Sequence, residues 1–286
     1  MNRRLLIFTL VVFIFSCKKE NNPNPGPSPV PEKTELNVAY GTDGAQKMDV
    51  YLPANRNPSA TKVIILIHGG GWSSGDKSDF TVFVDTLKRR LPGYAVFNIN
   101  YRLATGPVNL FPTQENDVKA AIDFIYSKRN EYSISDKFVL LGASAGGHLS
   151  LLQAYKYLTP VKIKAVVDFY GPTDLVDMYN YPASIFAPPA ALAAVIGATP
   201  STNLALYQQS SPINFVTAQS PPTIILQGGV DVLVSPSQSA TLNNKLQTSG
   251  VIHQYVFYPT ENHGWTGANL TDSFDKIAVF LNTHVN

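Results

Sequence analysis

The chain has 286 residues, of which 44% are apolar and 15% charged. A chain of this length and composition is typical of a globular protein with one large domain and a well-buried core. Its 22 basic and 20 acidic residues nearly balance, so the sequence lacks the basic field that nucleic-acid binding requires.

The amino end has the pattern of an export signal. Arg3 and Arg4 precede an apolar run at 5–15, which is followed by a serine and by the only cysteine of the chain, Cys17. A transmembrane helix needs roughly 20 apolar residues, so this shorter run favours a cleaved signal over a permanent anchor. Removal of the signal at 1–16 would leave 20 basic and 20 acidic residues.

Cys17 predicts how the exported protein is held. The sequence Ile-Phe-Ser-Cys at 14–17 resembles the lipobox of bacterial lipoproteins, which implies cleavage before Cys17 and a diacylglyceryl group on its sulfur. A sole cysteine cannot form an intramolecular disulfide, and the alternative is a plain secretory peptide with an incidental cysteine. The charged segment at 18–22 is similar to the one that follows this cysteine in surface-routed lipoproteins of some Gram-negative bacteria. We therefore expect an exported lipoprotein tethered by lipid at the outer membrane, in the periplasm or at the cell surface.

A proline-rich stretch follows at 23–31, with the sequence PNPGPSPVP. Such a composition stays extended, because it cannot bury enough apolar surface to fold. We expect the lipidated cysteine and this linker to occupy 17–33, and a single domain to occupy 34–286.

Within the domain, short apolar or alternating runs take turns with longer helix-like segments. This alternation predicts an α/β fold in which helices flank a mostly parallel central sheet. We expect strands at 48–52 (antiparallel), 63–67, 95–99, 138–141, 163–169, 223–226 and 255–258, and helices at 80–90, 114–128, 145–157, 237–249 and 272–283.

One stretch breaks this alternation. Residues 172–222 mix proline, alanine and aromatic residues without a clear strand. Two interpretations stay open: an insertion that lies over the site, or a packed helical excursion that only shields the edge of the sheet.

The sequence Gly142-Ala143-Ser144-Ala145-Gly146 follows an apolar strand and precedes a helix-like segment. This strand–turn–helix context is the one that the G-x-S-x-G nucleophile elbow requires. A tight turn that exposes the serine hydroxyl leaves little room for a Cβ on either side, which accounts for the glycines. Ser144 is therefore the candidate nucleophile.

The most specific motif is His-Gly-Gly-Gly-Trp at 68–72, directly after the buried strand at 63–67. In chains of this composition, His-Gly-Gly-Gly would occur by chance roughly once in seven hundred. Successive glycines let backbone N–H groups converge on the place where a tetrahedral intermediate develops negative charge. We expect an oxyanion hole formed by Gly70, Gly71 and Ala145. A phosphate-binding loop is the weaker alternative, because the lysine and spacing of a P-loop are absent.

A serine hydroxyl needs a base, and five histidines are available. His68 lies in the glycine motif, His148 follows the nucleophile by one helical turn, His253 begins a strand and His284 is near the carboxyl end. His263 remains, in a loop between the last strand and the last helix, and is the candidate base.

The acid of such a triad lies between the serine and the histidine in the chain order of this fold. Asp231 follows the strand at 223–226, so it would project at the carboxyl edge of the sheet and orient the imidazole of His263. Other acids lie in the same interval, namely Asp168, Asp174, Asp177 and Glu261. The first three follow an earlier strand, and the last is too near His263 in sequence.

Taken together, the chain from 48 to 263 resembles the α/β-hydrolase serine esterases, in particular the hormone-sensitive-lipase-like and bifunctional feruloyl and acetyl-xylan esterase groups. The matching segments are DVYLP at 49–53, HGGGW at 68–72, NYRL at 100–103, Phe111-Pro112 with Asp117, GASAGGHL at 142–149, GPTDL at 171–175 and the two loops of the acid and the histidine. The resemblance implies a structural role for the Tyr-Arg-Leu turn, and Asp117 is expected to cap or pair within its helix. Gln227 departs from the pattern, since relatives commonly have histidine there.

The resemblance implies hydrolysis of short acyl esters through an acyl-enzyme, including acetyl or feruloyl esters of plant polysaccharides. The substrate would be a small acyl ester or an acylated glycan, and neither a cofactor nor a metal is needed. Trp72 and Trp265 either crowd the site or pack in the core. A formamidase or amidase of the same fold and a non-catalytic ligand-binding lipoprotein are the alternatives.

Overall fold

The structure is a computed structural model that describes residues 29–286. The predicted signal at 1–16, Cys17 and most of the linker lie outside the described residues. Among the helices of the described part of the chain, none combines the length and the apolarity that crossing a bilayer requires.

An eight-stranded sheet runs through the molecule. Its strands are β1 (Lys33–Ala39), β2 (Lys47–Leu52), β3 (Lys62–Ile67), β4 (Tyr94–Ile99), β5 (Phe138–Ala143), β6 (Ala165–Phe169), β7 (Thr223–Gly228) and β8 (His253–Tyr258). The strand order is β1-β2-β4-β3-β5-β6-β7-β8. The pairings of β2 with β1 and with β4 are antiparallel, and β4, β3, β5, β6, β7 and β8 pair in parallel.

Helices cover both faces of the sheet. They are α1 (Ser78–Arg90), α2 (Thr113–Ser127), α3 (Arg129–Tyr132), α4 (Ala145–Lys156), α5 (Leu175–Asn180), α6 (Pro189–Ile196), α7 (Leu204–Gln209), α8 (Pro236–Thr248) and α9 (Gly267–His284). The predicted α/β fold with a mostly parallel sheet is confirmed.

The central strands divide the core into two layers because successive side chains point to opposite faces. Ile65 of β3 packs with residues of α2, α4 and α8, whereas Ile64 packs with residues of α1 and α9. All five residues of β3 after Lys62 are apolar and fully buried, as expected for a strand covered on both faces. The buried centre of the sheet holds the loops at its carboxyl edge in fixed positions.

The predicted strands and long helices are present, with ends that differ by at most five residues, the largest difference being the start of α9 at Gly267. The sequence interpretation missed β1, whose side chains are mostly exposed at the sheet edge, so that no apolar pattern marks it. β1 begins at Lys33, one residue before the predicted start of the domain. The short helix α3 was missed as well.

The 172–222 segment leaves the sheet after β6 and returns to it at β7. It contains α5, α6, α7 and a single 3-10 turn at Pro212–Phe215. Leu175 and Tyr207 anchor it with fully buried side chains, and Leu192 of α6 lines a cavity that reaches Ser144. The segment is therefore a helical excursion that packs firmly, and it also forms a wall of the site.

Candidate active site

Ser144 lies in a strained turn between β5 and α4. Its backbone has φ 56° and ψ −122°, a conformation that L-residues rarely adopt, and its N–H donates to the carbonyl of Phe169 at 2.8 Å. A Cβ on Gly146 would collide with the carbonyl oxygen of Ile67, and one on Gly142 with that of Gly146. Both glycines are therefore needed for the turn that presents Ser144.

The loop after β3 brings backbone N–H groups to the same place. Gly70 has φ 102° and Gly71 has φ 56°. The carbonyl of Gly70 accepts from the N–H groups of Ser73 at 3.1 Å and Ser74 at 2.9 Å, which closes the loop. Among the hydrogen bonds of residues 29–286, none is donated by the N–H of Gly70 or Gly71. These two groups remain available to an oxyanion, together with the N–H of Ala145 in the first turn of α4.

His68 supports this loop from inside the protein. Its ring stacks on Tyr101 with centroids 4.2 Å apart and planes 9° apart, and the Tyr101 hydroxyl donates to the His68 carbonyl at 3.0 Å. Burial lowers the pKa of His68, which favours the neutral ring. His68 is thus a structural residue of the glycine loop.

Trp72 and His148 link the glycine loop to the 172–222 segment. The indole N–H of Trp72 lies 3.2 Å from Nδ1 of His148, and Nε2 of His148 lies 2.7 Å from the carbonyl oxygen of Ser210. Burial lowers the pKa of His148 to about 4, so the ring is neutral at pH 7. The contacts fix its tautomer, because Nδ1 accepts from Trp72 and Nε2–H donates to Ser210. Sequence reasoning did not reveal this link, since its residues are far apart in the chain.

Asp231 and His263 are in direct contact, with Oδ2 of Asp231 2.8 Å from Nδ1 of His263. The other carboxylate oxygen accepts from the N–H groups of Leu233 at 2.8 Å and Val234 at 2.9 Å. These donors hold the buried carboxylate in one orientation and stabilise its charge. An Asp–His pair of this kind fixes the imidazole with Nε2 free to accept a proton.

The histidine loop (259–266) and the acid loop (228–235) are joined by a backbone hydrogen bond from Val230 to Glu261 at 3.0 Å and through the side chain of Asn262. Oδ1 of Asn262 accepts from the N–H of Val232 at 3.2 Å and from that of His263 at 2.7 Å. A Cβ on Gly228 would collide with the carbonyl oxygen of Asn262. The two loops therefore approach more closely than larger residues would allow. The ring of Tyr170 packs on His263 with centroids 4.5 Å apart and restricts it from the other side.

Gln227 is a buried neighbour of Asp231 whose contribution the sequence interpretation missed. Its Nε2 donates to Oδ2 of Asp231 at 3.2 Å and to the carbonyl of Gly228 at 3.0 Å. Ser239 donates to its Oε1 at 2.7 Å, which fixes the orientation of the amide. The one available signal was the departure from the family pattern at this position. Gln227 supplies a neutral donor to the carboxylate that holds His263.

The other acids considered from the sequence have different partners. Asp168 is fully buried in β6, Asp174 caps the first turn of α5, and Asp177 accepts from Nε2 of Gln238 at 2.7 Å. The side chain of Glu261 accepts from Asn269 at 2.5 Å. None of them is a hydrogen-bond partner of His263 within the described part of the chain.

Asp117 pairs with residues outside its own helix, which corrects the expectation of a contact within that helix. Its carboxylate accepts from Nη2 of Arg102 at 2.6 Å, from Nε of Arg102 at 2.9 Å and from Nε2 of Gln46 at 2.7 Å. The pair holds the Tyr-Arg-Leu turn and is structural, as the resemblance implied for that turn.

Ser144 lines two cavities. The aromatic cavity, about 550 Å³, also contains His263 and is lined by Phe80, Phe83, Phe169, Tyr170, Trp265, Leu270 and Phe274. The aliphatic cavity, about 200 Å³, is lined by Trp72, Pro172, Met178, Phe186, Pro188, Pro189, Ala191, Leu192, Val195 and Val234. Gly71 and Leu233 border both. Each tryptophan thus lines one cavity while being largely buried.

Ser144 and His263 share the aromatic cavity, but the hydrogen bonds of residues 29–286 do not include one between their side chains. Catalytic hydrogen bonds are often long in a free enzyme and tighten when substrate binds. The arrangement otherwise contains what acyl transfer requires: a nucleophile, a base with its carboxylate, and free N–H donors beside the nucleophile.

Comparisons with known proteins agree with this chemistry. Residues 48–246 match the model of the family described as BD-FAE. Two proteins of Mycobacterium tuberculosis are similar in sequence, Esterase LipC with 27% identity over 86% of this chain and the probable carboxylic ester hydrolase LipM with 29% identity over 80%. This chain spans 64% and 55% of their respective lengths.

Two solved structures share the fold and are more than 25% identical to this chain in sequence. A bifunctional GH43-CE protein of Bacteroides eggerthii matches with TM-score 0.76 and 27% identity, over 88% of this chain and 35% of its own. A truncated carbohydrate esterase from gut microbiota matches with TM-score 0.75 and 26% identity, over 88% of this chain and 96% of its own. The second match covers most of both chains.

Proposed function

This chain belongs to the BD-FAE family, and from that premise we propose that it hydrolyses carboxylic esters with Ser144 as nucleophile, His263 as base and Asp231 as the acid of the triad. The observation that carries the proposal is the 2.8 Å contact of Asp231 with His263, which lines the same cavity as Ser144. The esterase names of the relatives support the reaction class.

The proposed reaction passes through an acyl-enzyme. Oγ of Ser144 attacks the ester carbonyl and gives its proton to Nε2 of His263, while the carbonyl oxygen takes the negative charge. The N–H groups of Gly70, Gly71 and Ala145 stabilise that oxygen. His263 then protonates the leaving alcohol, and a water molecule activated by the same imidazole releases the acid. Each of these steps uses only groups of the protein, the ester and water.

For the substrate we propose a short acyl ester whose alcohol is a carbohydrate. The support is the carbohydrate esterase named among the solved structures, together with a cavity lined by aromatic rings beside His263. Aromatic faces pack well against the apolar faces of sugar rings. Acetyl esters of plant polysaccharides are the members of this class to assay first, and feruloyl esters provide the comparison with a large acyl group.

Hydrolysis of p-nitrophenyl acetate and butanoate by the purified domain tests the proposed reaction. We expect turnover by the wild type and a loss of several orders of magnitude in Ser144→Ala. Ser201→Ala, at an exposed serine of the 172–222 segment, is the matched control and should keep wild-type activity. Acetylated xylan oligomers and N-formyl compounds then separate an esterase from a formamidase. Absence of turnover on every acyl substrate, or full activity in Ser144→Ala, would exclude the proposal.

We further propose that Cys17 carries the lipid that tethers the domain to a membrane. The support is the sequence pattern at 14–17 alone, which lies outside the described residues. Incorporation of radiolabelled fatty acid into the full chain in a bacterial host measures it. We expect labelling of the wild type and none of Cys17→Ala, and labelling that survives this substitution would contradict the tether.

A further inference from the structure

The two cavities at Ser144 differ in which catalytic groups they contain. The aromatic cavity contains His263, whereas the aliphatic cavity contains Ser144 and Gly71 of the glycine loop but not His263. An ester has two ends, the acyl group and the alcohol, and only the alcohol oxygen must receive a proton when the acyl-enzyme forms. The leaving oxygen therefore has to face His263.

This requirement assigns each end of the ester to one of the two cavities. With the carbonyl oxygen at the N–H groups of the glycine loop and the alcohol oxygen facing His263, the alcohol extends into the aromatic cavity. The carbonyl carbon bonds to Oγ of Ser144, and the remaining substituent of that carbon is directed to the other side of the serine. That side is the aliphatic cavity.

The size and lining of the aliphatic cavity indicate the acyl group. Its volume of about 200 Å³ is room for roughly six or seven groups of the size of a water molecule, which is also about the size of a methylene. An acetyl group places a single methyl there. Of the residues that line the cavity none carries a charge, and Ser73 is the one hydroxyl side chain besides Ser144. A feruloyl group would bring a phenol and a methoxy oxygen into surroundings with few polar partners.

We propose that the aliphatic cavity is the acyl site and that this enzyme prefers unbranched acyl groups of four to six carbons over acetyl and feruloyl groups, with the alcohol in the aromatic cavity. The inference rests on the proposed function. The acyl group passes from the alcohol oxygen to Oγ of Ser144, and the serine proton passes through His263 to the departing alcohol.

The 172–222 segment makes this site. Met178 comes from α5, Phe186 from the loop after it, and Leu192 from α6. Phe186 is 70% exposed, so the cavity opens to solvent on that side, and an acyl chain longer than the cavity would extend past it. Preference should therefore rise with chain length up to about six carbons and then fall.

The first measurement is kcat/KM for p-nitrophenyl esters from acetate to decanoate, and for a feruloyl ester. Burial of each added methylene should raise kcat/KM about fourfold while it fits the cavity. We expect butanoate or hexanoate to exceed acetate at least tenfold, with a decline by decanoate. A maximum at acetate, or at the feruloyl ester, would overturn the proposal.

A variant of α6 tests the location of the acyl site. Ala191 is exposed yet lines the aliphatic cavity, so Ala191→Phe should fill the cavity without disturbing the core. We expect kcat/KM for hexanoate to fall at least tenfold and that for acetate to stay within about twofold. Ala194→Phe, at an exposed position of the same helix that does not line the cavity, is the matched control and should keep the wild-type profile. Equal profiles for the two variants would place the acyl group elsewhere.

A second pair of substrates tests the alcohol side. Leu270 lines the aromatic cavity only, so Leu270→Trp should lower hydrolysis of 2-naphthyl butanoate relative to methyl butanoate, whereas Ala191→Phe should lower both equally. If Leu270→Trp does not fold, Leu270→Ala provides the test with the opposite change in the ratio. The assignment is overturned if Ala191→Phe discriminates between the alcohols and the Leu270 variant between the acyl groups. A folded wild type that hydrolyses no ester at all would instead refute the proposed function itself.

Discussion

The loops at the carboxyl edge of the sheet and the 172–222 segment contribute to the same site in different ways. The loops hold their residues through backbone contacts so close that several positions accept only glycine, as at Gly70 and Gly146. The segment contributes apolar walls and is held by hydrogen bonds to its surroundings, such as those between Ser210 and His148 of α4 and from Ser184 to Val232 of the acid loop. This difference predicts that changes in the loops reduce the rate of the reaction, whereas changes in the segment alter which substrate is used.

The largest effect is expected at the acid. Asp231→Asn keeps the shape of the side chain but removes the charge that orients His263 and stabilises its protonated form. We expect kcat to fall about four orders of magnitude, as such a change does in a serine triad. Ester hydrolysis and thermal unfolding of both proteins measure this. A variant that folds normally and keeps more than a tenth of the activity would show that another acid serves His263.

The glycine loop should come next. Gly70 has φ 102°, and a Cβ there would collide with the carbonyl of Ser74, so Gly70→Ala should displace the proposed oxyanion donors. The expected loss in kcat is about 10²–10³-fold, comparable to the removal of one donor. Gly71 is the matched comparison: its φ of 56° also strains an alanine, but a Cβ there meets nothing within 4 Å, so Gly71→Ala should lose less activity than Gly70→Ala. Equal activities of Gly70→Ala and Gly71→Ala would contradict the proposed geometry.

A smaller effect is expected at Gln227, the positioning residue beside the acid. Gln227→Leu removes a donor from Oδ2 of Asp231 and should lower kcat/KM about tenfold. A tenfold change corresponds to a free-energy difference of about 1.4 kcal/mol. Gln227→His restores a donor beside Asp231 and should recover most of the lost activity. Equal losses in Gln227→Leu and Gln227→His would indicate a packing defect only.

The smallest effect on the rate is expected where the two regions meet, at a residue that affects stability instead. Asp168 is fully buried in β6 and accepts from the N–H of Gly171 at 2.9 Å. Gly171 directly precedes the 172–222 segment. Burial raises the pKa of its carboxyl from the usual 3.8 to about 8. The folded protein thus keeps a proton that the unfolded chain releases near pH 4. The free energy of unfolding should therefore fall as pH rises from about 4 to about 8.

Urea unfolding of wild type and Asp168→Asn at pH 5 and pH 9 measures this dependence. The amide of Asp168→Asn has no proton to release, so the free energy of unfolding of this variant should fall less between pH 5 and pH 9 than that of the wild type. The difference should exceed about 1.4 kcal/mol, which is the contribution of one proton over one pH unit. The same fall in both proteins would assign the pH dependence to other groups.

The residues of the two regions also differ in how far the sequence predicted them. The strand–turn–helix around Ser144, the glycine loop and the order of Asp231 and His263 were predictable, because tight backbone geometry restricts residue types locally. Gln227 was noticed only as a departure, since its contacts with Ser239 and Asp231 depend on tertiary packing. The exposed edge strand β1 has no apolar pattern to mark it.

The helices of the 172–222 segment were not predicted individually. α5 and α7 have six residues each, which is too short for a helical periodicity to be read from the sequence. The position of the segment over the site follows from contacts between residues distant in the chain, such as Ser184 Oγ, which donates to the carbonyl of Val232 at 2.7 Å. Sequence reasoning therefore left its two interpretations open.

The central claim is that Ser144 forms a covalent intermediate. Intact-protein mass spectrometry with peptide mapping, after exposure of the native domain to a butyl phosphonate ester that mimics the tetrahedral state, tests it most directly. We predict one adduct per chain, on Ser144, which is absent from Ser144→Ala and from the denatured wild type. No adduct on native protein that hydrolyses esters, or an adduct on another residue that persists in Ser144→Ala, would contradict it.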